Sequence, residues 1–148
     1  MNIWSVDGSP VQTGGLTYTL SSITATHAVS VSFKIQTFSI TATAGANGSI
    51  SPTGTFSKDY GSSQLFTATP TGGYDVNEWR VDGGIVDGNS TTYTLSNITA
   101  GHTVTVSFKI QTFSITATAG SNGSISPSGT FSKDYGSSQL FTATPGTG

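Results

Sequence analysis

Apolar and hydroxyl-bearing residues alternate with a period of two along most of the chain. In residues 38–43, Phe38, Ile40 and Ala42 alternate with Ser and Thr, and the alternation stops at the Gly-rich turn 45–48. Such a segment is typical of a half-buried strand. Comparable segments run through Ile50 and through 66–68, 74–81, 91–95 and 103–108. The pattern predicts about six short strands per repeat, joined by Gly, Asn and Pro turns, in an all-β fold.

The alternating pattern itself repeats with an offset of 75 residues. Residues 34–70 and 109–145 are identical except that Ser121 replaces Ala46 and Ser128 replaces Thr53. Upstream, Trp4 falls on Trp79 at the same offset. A fixed period of this size indicates an array of stacked or strung modules. We therefore expect tandem small β modules with a 75-residue period.

The strand pattern changes parity between residues 29–35 and residues 38–42. Apolar residues occupy odd positions over 29–35 and even positions over 38–42. A strand that changes parity has changed faces or has left one module for the next. We therefore predict stiff boundaries at 36/37 and 111/112. The chain would then contain the second half of a repeat (1–36), a complete module (37–111) and the first half of a repeat (112–148).

The sequence leaves the division into modules open, and each end of the chain has a feature of its own. The turn Thr71-Gly72-Gly73 offers an alternative cut with better turn composition, which would give two permuted modules, 1–75 and 76–148. The chain starts in mid-repeat, so we expect Met1 to lie within a longer parent. The segment 145–148 departs from its repeat partner 70–73, which indicates an engineered or divergent end.

Composition excludes several classes of function. Charged residues make up 8% of the chain and the net charge is −2, so there is no basic patch for nucleic acid. Without cysteine, a disulfide scaffold and thiol chemistry are excluded. No apolar run approaches the roughly 20 residues of a membrane span.

Several strings in one repeat resemble a known family. FSITATAGANGSISPTG is followed by GSSQLFTATP, GGYDVNEW and TVTVSF. This succession resembles the divergent internalin B-type repeat of bacterial surface proteins, with Val76 where that family more usually has an aromatic residue. The resemblance implies a small β-grasp-like or sandwich-like module in tandem on secreted or wall-attached proteins. It brings no catalytic residues.

Large aromatic residues could form either a core or a sugar-binding platform. Trp4, Trp79, Tyr74 and Tyr93 would suit stacking on a sugar. We predict instead that Trp79 is core, because a small domain with few large side chains needs it there. Tyr60 and its repeat partner Tyr135 follow a polar Lys-Asp pair and are the candidate exposed contact residues. The predicted core comprises Phe38, Ile40, Phe66, Trp79, Leu95, Val104, Val106 and Phe108.

The inventory of acids and bases is too small for a convincing active site. Glu78 is the only glutamate, and His27 and His102 are predicted to start strands without a nearby acid. Local backbone contacts are expected for Asp7 and Asp82 in their Val-Asp-Gly turns. Lys58-Asp59 and Lys133-Asp134 are predicted to lie in solvated turns, which disfavours an isopeptide crosslink. We predict no catalytic residue, no metal and no cofactor.

These observations favour a non-enzymatic structural array, a stalk or fibre segment of an extracellular or cell-surface protein. The expected partners are neighbouring repeats and other copies of the chain. Residues 112–148 followed by 1–36 would rebuild one module of the 75-residue type, so the two halves are expected to associate head to tail. The alternative is an adhesion module that binds a surface glycan or a host protein.

Overall fold

The structure is a computed structural model that describes residues 2–147, and this part of the chain contains strands but no helix. The first strands are β1 (Asn2–Val6), β2 (Ser9–Thr13) and β3 (Val29–Phe33). Eight strands follow: β4 (Thr37–Ala44), β5 (Gly48–Ser51), β6 (Gly54–Asp59), β7 (Gln64–Pro70), β8 (Tyr74–Val81), β9 (Gly84–Gly88), β10 (Thr92–Leu95) and β11 (His102–Ile110). The last four are β12 (Thr112–Ala117), β13 (Gly123–Ser126), β14 (Gly129–Asp134) and β15 (Thr142–Pro145).

Strands β4 to β11 form two sheets that share one core. The larger sheet has the order β6-β4-β11-β8-β9, and the smaller has the order β10-β7-β5. Within the larger sheet, β4 and β11 are parallel, with Val104 opposite Ala42. The other pairings are antiparallel. The first and last strands of this segment are therefore neighbours at the centre of the sheet.

The core lies between the two sheets. Its buried residues are Ile40, Ala42, Ile50, Phe66, Ala68, Val76, Trp79, Leu95, Ile98, Val104 and Val106. Phe66 and Trp79 come from opposite sheets, and their rings lie 6.5 Å apart. Of the two shapes that the resemblance implied, two facing sheets around one core match the sandwich. The all-β prediction is confirmed.

The core prediction is correct for six of the residues named from the sequence and too generous for two. Phe38 and Phe108 are half-buried at the margin of the core. Ile98 was not predicted, yet it is fully buried. It lies in the loop between β10 and β11, where its backbone N–H donates to the Ser62 carbonyl and its own carbonyl accepts from Gly61. A loop residue carries no period-2 signal, so the alternation could not reveal it.

The sequence pattern underestimated the number of strands, because it missed β6 and β9. Both are edge strands of the larger sheet. β6 contains a single large apolar residue, Phe56, and β9 has only Ile85 and Val86 between glycines. An edge strand pairs on one side and packs less, so its sequence carries a weaker alternation.

The flanking segments form smaller sheets from the same strand types. β1, β2 and β3 make a three-stranded sheet of order β2-β1-β3. At the other end, β12 pairs with β14 and β13 pairs with β15 in two separate ladders. The register of β12 on β14 reproduces that of β4 on β6 at an offset of 75 residues.

Replacing Trp79 with Ala should lower the free energy of unfolding by about 3–5 kcal/mol, because a fully buried indole is removed. Urea denaturation followed by circular dichroism measures the change. Trp4→Ala is the matched control, since Trp4 is the repeat partner of Trp79 but is only half-buried. Trp4→Ala should change the main transition far less, and equal losses in the two variants would contradict the core assignment.

Candidate functional site

Neither tryptophan forms a flat exposed platform. Trp79 has no exposed surface, and its Nε1 donates to the Ser90 carbonyl at 2.8 Å. Its ring also stacks on Tyr93 at 5.8 Å. Trp4 is half-buried beside Tyr18, with the ring centroids 6.0 Å apart. Trp79 therefore cannot stack on a sugar without unfolding of the core.

The two candidate contact tyrosines are exposed, at 59% for Tyr60 and 52% for Tyr135. Each packs beside a phenylalanine on the strand paired with the one that precedes it, Tyr60 on Phe38 of β4 and Tyr135 on Phe113 of β12. Their surroundings differ in one respect. The Tyr135 ring lies against Gly73 so closely that a Cβ on this glycine would come within 2.3 Å of the ring. Tyr135 thus contacts the segment that precedes β8.

Gln111 connects the complete set of sheets with the strands that follow. Its backbone N–H donates to the Gly73 carbonyl at 2.9 Å, and its carbonyl accepts from the Tyr135 N–H at 2.8 Å. Its side-chain amide donates to Asp75 Oδ1 at 2.8 Å. Three hydrogen bonds and one ring contact therefore hold a single-residue joint between β11 and β12.

Both histidines have an acidic partner, contrary to the expectation from sequence. Nδ1 of His102 lies 2.7 Å from Oδ2 of Asp82, and Oδ1 of Asp82 accepts the Thr103 backbone N–H at 2.8 Å. The same pair recurs between His27 and Asp7 at 2.8 Å. Twenty residues separate the partners, so local sequence could not reveal the contact. Each aspartate tethers the turn after one strand to the start of another, rather than bonding its own turn.

This tether lowers the pKa of both aspartates. For Asp82 the main cause is the Thr103 N–H, and the hydrogen bond with His102 adds to it. For Asp7 the corresponding donors are Ala28 and His27. Hydrogen bonds to the charged carboxylate favour that form, so the carboxylate stays ionised to lower pH than usual.

The remaining candidate chemistry is structural. Lys58 and Lys133 lie within β6 and β14, so their predicted placement in turns was wrong. Glu78 pairs with Arg80 at 2.7 Å. Among residues 2–147 there is no group of three or more acids and histidines that could hold a metal ion. No helix in this part of the chain has the length and apolarity needed to cross a membrane.

Most of the exposed large apolar residues lie in the two flanking segments, 1–36 and 112–148. Val104, Val106 and Ile98 are 0–2% exposed, whereas their repeat partners Val29, Val31 and Ile23 are 48%, 36% and 65% exposed. Phe66 is fully buried, but its repeat partner Phe141 is 37% exposed. The same side chains are therefore core in one copy of the repeat and surface in the other.

The flanking segments also have shorter strands than the complete copy. β4 runs to Ala44, but its counterpart β12 stops at Ala117, two residues earlier in the repeat. β7 has seven residues, whereas β15 has four. The residues that lose strand structure, 118–119 and 139–141, correspond to positions that pair with β11 and β10. Strand structure is lost where the only pairing partner belongs to the other half of the repeat, whereas residues 115–117 also pair with β14 and keep it.

The fold, the 75-residue period and the unpaired half-sheets define an all-β repeat protein. The chain belongs to the divergent InlB B-repeat domain family, whose family model matches residues 38–112 and again residues 113–148. Repeat domains of this family are associated with bacterial cell-surface proteins and are typically non-enzymatic. No curated protein and no solved structure matches the chain.

Acidification should weaken the tether between Asp82 and His102. Because the pKa of folded Asp82 lies below its unfolded value, its stabilisation is complete above about pH 5 and is lost as the pH falls through the folded pKa. Asp82→Asn keeps an oxygen acceptor for Thr103, and Asn tolerates the positive φ of 51° at this position.

We expect the wild-type chain to lose more stability than Asp82→Asn between about pH 5 and about pH 2, measured as melting temperature at fixed ionic strength. The other carboxylates titrate in both proteins, so the difference isolates Asp82. Parallel pH profiles for the two proteins would contradict this assignment.

Proposed function

We propose that the chain is a structural segment of an extracellular bacterial surface protein, built from 75-residue modules joined stiffly in series. The unit is 37–111, and the half repeats 1–36 and 112–148 complete each other head to tail between copies. The observation that carries this proposal is the exposure, in the half repeats, of side chains that are core in the complete copy. Such uncovered apolar surface on a soluble domain marks an interaction site.

The central pairing of the complete copy supplies the register for the association. There, residues 102–106 of β11 run parallel to residues 40–44 of β4. At the repeat offset, residues 27–31 of one copy would lie beside residues 115–119 of the next. Adding this strand pair would join the sheet containing β3 to the ladder containing β12, which is strand addition at an open edge.

The pairing of β10 with β7 in the smaller sheet also predicts a contact between the two half repeats. In the complete copy, Tyr93 of β10 lies opposite Phe66 of β7. Their repeat partners are Tyr18 and Phe141, and residues 17–20 and 139–141 carry no strand in the half repeats. Residues 112–148 and 1–36 together correspond to every position of the module except Tyr74 and Asp75. The joined module would therefore contain the counterparts of all the core residues of the complete copy.

The joint at Gln111 supports a stiff array. It has no flexible linker, since β11 ends at Ile110 and β12 begins at Thr112. The backbone and side chain of Gln111 are hydrogen-bonded to Gly73, Asp75 and Tyr135. Under this proposal Tyr135 acts as a contact between successive repeats, and glycan binding is not its role.

Head-to-tail pairing is tested by two single-cysteine variants, Ser30→Cys and Thr118→Cys, in a chain that has no cysteine of its own. These positions correspond to Thr105 and Thr43, which are cross-strand partners. Neighbouring strands lie about 4.8 Å apart, within the Cα separation that a disulfide spans. Mild oxidation of the mixture should give mainly the mixed dimer, resolved by mass spectrometry.

The mixed dimer should exceed the statistical half of all dimers, and light scattering of the wild-type chain should show a mass that rises with concentration. Thr13→Cys replaces Ser30→Cys in the control mixture, because Thr13 lies on β2, away from the predicted pairing. A wild-type chain that stays monomeric at every concentration, with statistical crosslinking, would reject the proposal.

Tyr135→Ala should loosen the joint. Removing the ring from Gly73 should reduce hydrogen-exchange protection of the Gln111 amide by roughly tenfold, equivalent to about 1.4 kcal/mol. Tyr60→Ala is the matched control, because Tyr60 has the same phenylalanine neighbour and the same backbone bond, here to Gln36. If Tyr60→Ala lowers the protection of Gln111 equally, the ring contact does not stabilise the joint.

A further inference from the structure

An uncharged groove of about 330 Å³ lies on the C-terminal half repeat, above Gly123. Its lining includes Ile125 and Ala143, cross-strand partners on β13 and β15. None of its lining residues carries a charge. An apolar cavity of about 150 Å³ already holds a benzene ring, so the groove has room for an aromatic side chain.

In the complete module an aromatic ring occupies the corresponding place. Gly48 is the repeat partner of Gly123, and a Cβ on Gly48 would lie 2.3 Å from Cζ of Phe108. Neither glycine has a φ in the left-handed region. The backbone conformation therefore does not require glycine at this position. Glycine is needed because a side chain on residue 48 would clash with the Phe108 ring.

We propose that the groove above Gly123 is the binding site for Phe33 of a second copy of the chain. Phe33 is the repeat partner of Phe108, and it is 79% exposed at the end of β3. This inference rests on the proposed head-to-tail association and names the side chain that anchors it. The ring of one copy fills the place that Phe108 fills within the complete module.

Neighbouring backbone atoms favour the same placement. In the complete module the Gly45 N–H donates to the Val106 carbonyl at 2.8 Å, just before the ring of Phe108. The corresponding donor and acceptor are Gly120, which lines the groove, and Val31, two residues before Phe33. A hydrogen bond between them would set the depth at which the ring enters. β3 itself has no charged residue, so the strand that carries Phe33 brings none of its own charge into the uncharged groove.

Phe33→Ala tests the site, with the dissociation constant of self-association measured by sedimentation equilibrium on the full chain. Loss of a ring that becomes buried only in the complex should weaken association on the order of a hundredfold. The isolated copy should fold normally, which circular dichroism checks, because Phe33 is exposed there. Leu16→Ala is the control: Leu16 lies on the same half repeat, is 95% exposed and corresponds to the exposed Thr91.

A second variant changes the groove instead of the ring. Gly123→Ala places a methyl group where the Phe33 ring would enter, so it should weaken association roughly tenfold. In the Phe33→Ala background the same change should have no further effect, because the clashing ring is gone. This coupling separates the ring contact from the local effect of the added methyl group, which also approaches the Thr144 carbonyl at 3.0 Å.

The outcomes test the Phe33 site separately from the head-to-tail association on which it rests. Association that is weakened by Phe33→Ala, unchanged by Leu16→Ala and coupled between positions 33 and 123 supports the site. A wild-type chain that associates with the mixed crosslink, but equally well after Phe33→Ala, overturns the site alone. A wild-type chain that remains monomeric overturns both proposals.

Discussion

The parallel pairing of β4 with β11 is the constraint on which the rest of the structure depends. These strands are the first and last of the eight-stranded unit, and they lie side by side at the centre of its larger sheet. Residues from both strands, Ile40 and Val104 among them, are fully buried against the smaller sheet. The core therefore forms only when the two ends of one repeat meet. The flanking segments keep their own strand pairs, such as β12 with β14, and have no strand in the place of this parallel partner.

Period-2 alternation predicts much of the fold, but it does not predict the edge strands or the buried loop residue. Alternation located the strands that contain Phe66 and Val106, because their buried positions alternate with more exposed ones, whereas the strand with Trp79 was found from its run of apolar residues. It failed for β6 and β9, where pairing on one side leaves few apolar positions. It also failed for Ile98, a buried loop residue. Backbone hydrogen bonds fix that residue, and these leave no trace in side-chain periodicity.

The candidate surfaces were predictable to the extent that they repeat within the chain. The recurrence of 34–70 as 109–145 predicted that the same strand types recur, and exposure of Tyr60 and Tyr135 followed from their polar neighbours. The contact of Tyr135 with Gly73 and the pairing of Asp82 with His102 could not be predicted. Each joins residues far apart in sequence, and a single sequence contains no signal that links such positions.

Charge distinguishes the edge strands of the larger sheet from β3, which is also an edge strand. The edge strands of the larger sheet carry charges, Lys58 and Asp59 on β6 and Asp87 on β9, which discourage further pairing. In contrast, β3 has the sequence VSVSF because its counterpart, β11, has strands on both sides. When a central strand lies at an edge, it presents an uncharged, alternating surface without any of the features that block strand addition. The same strand type thus has neighbours on both sides as β11 and one open side as β3.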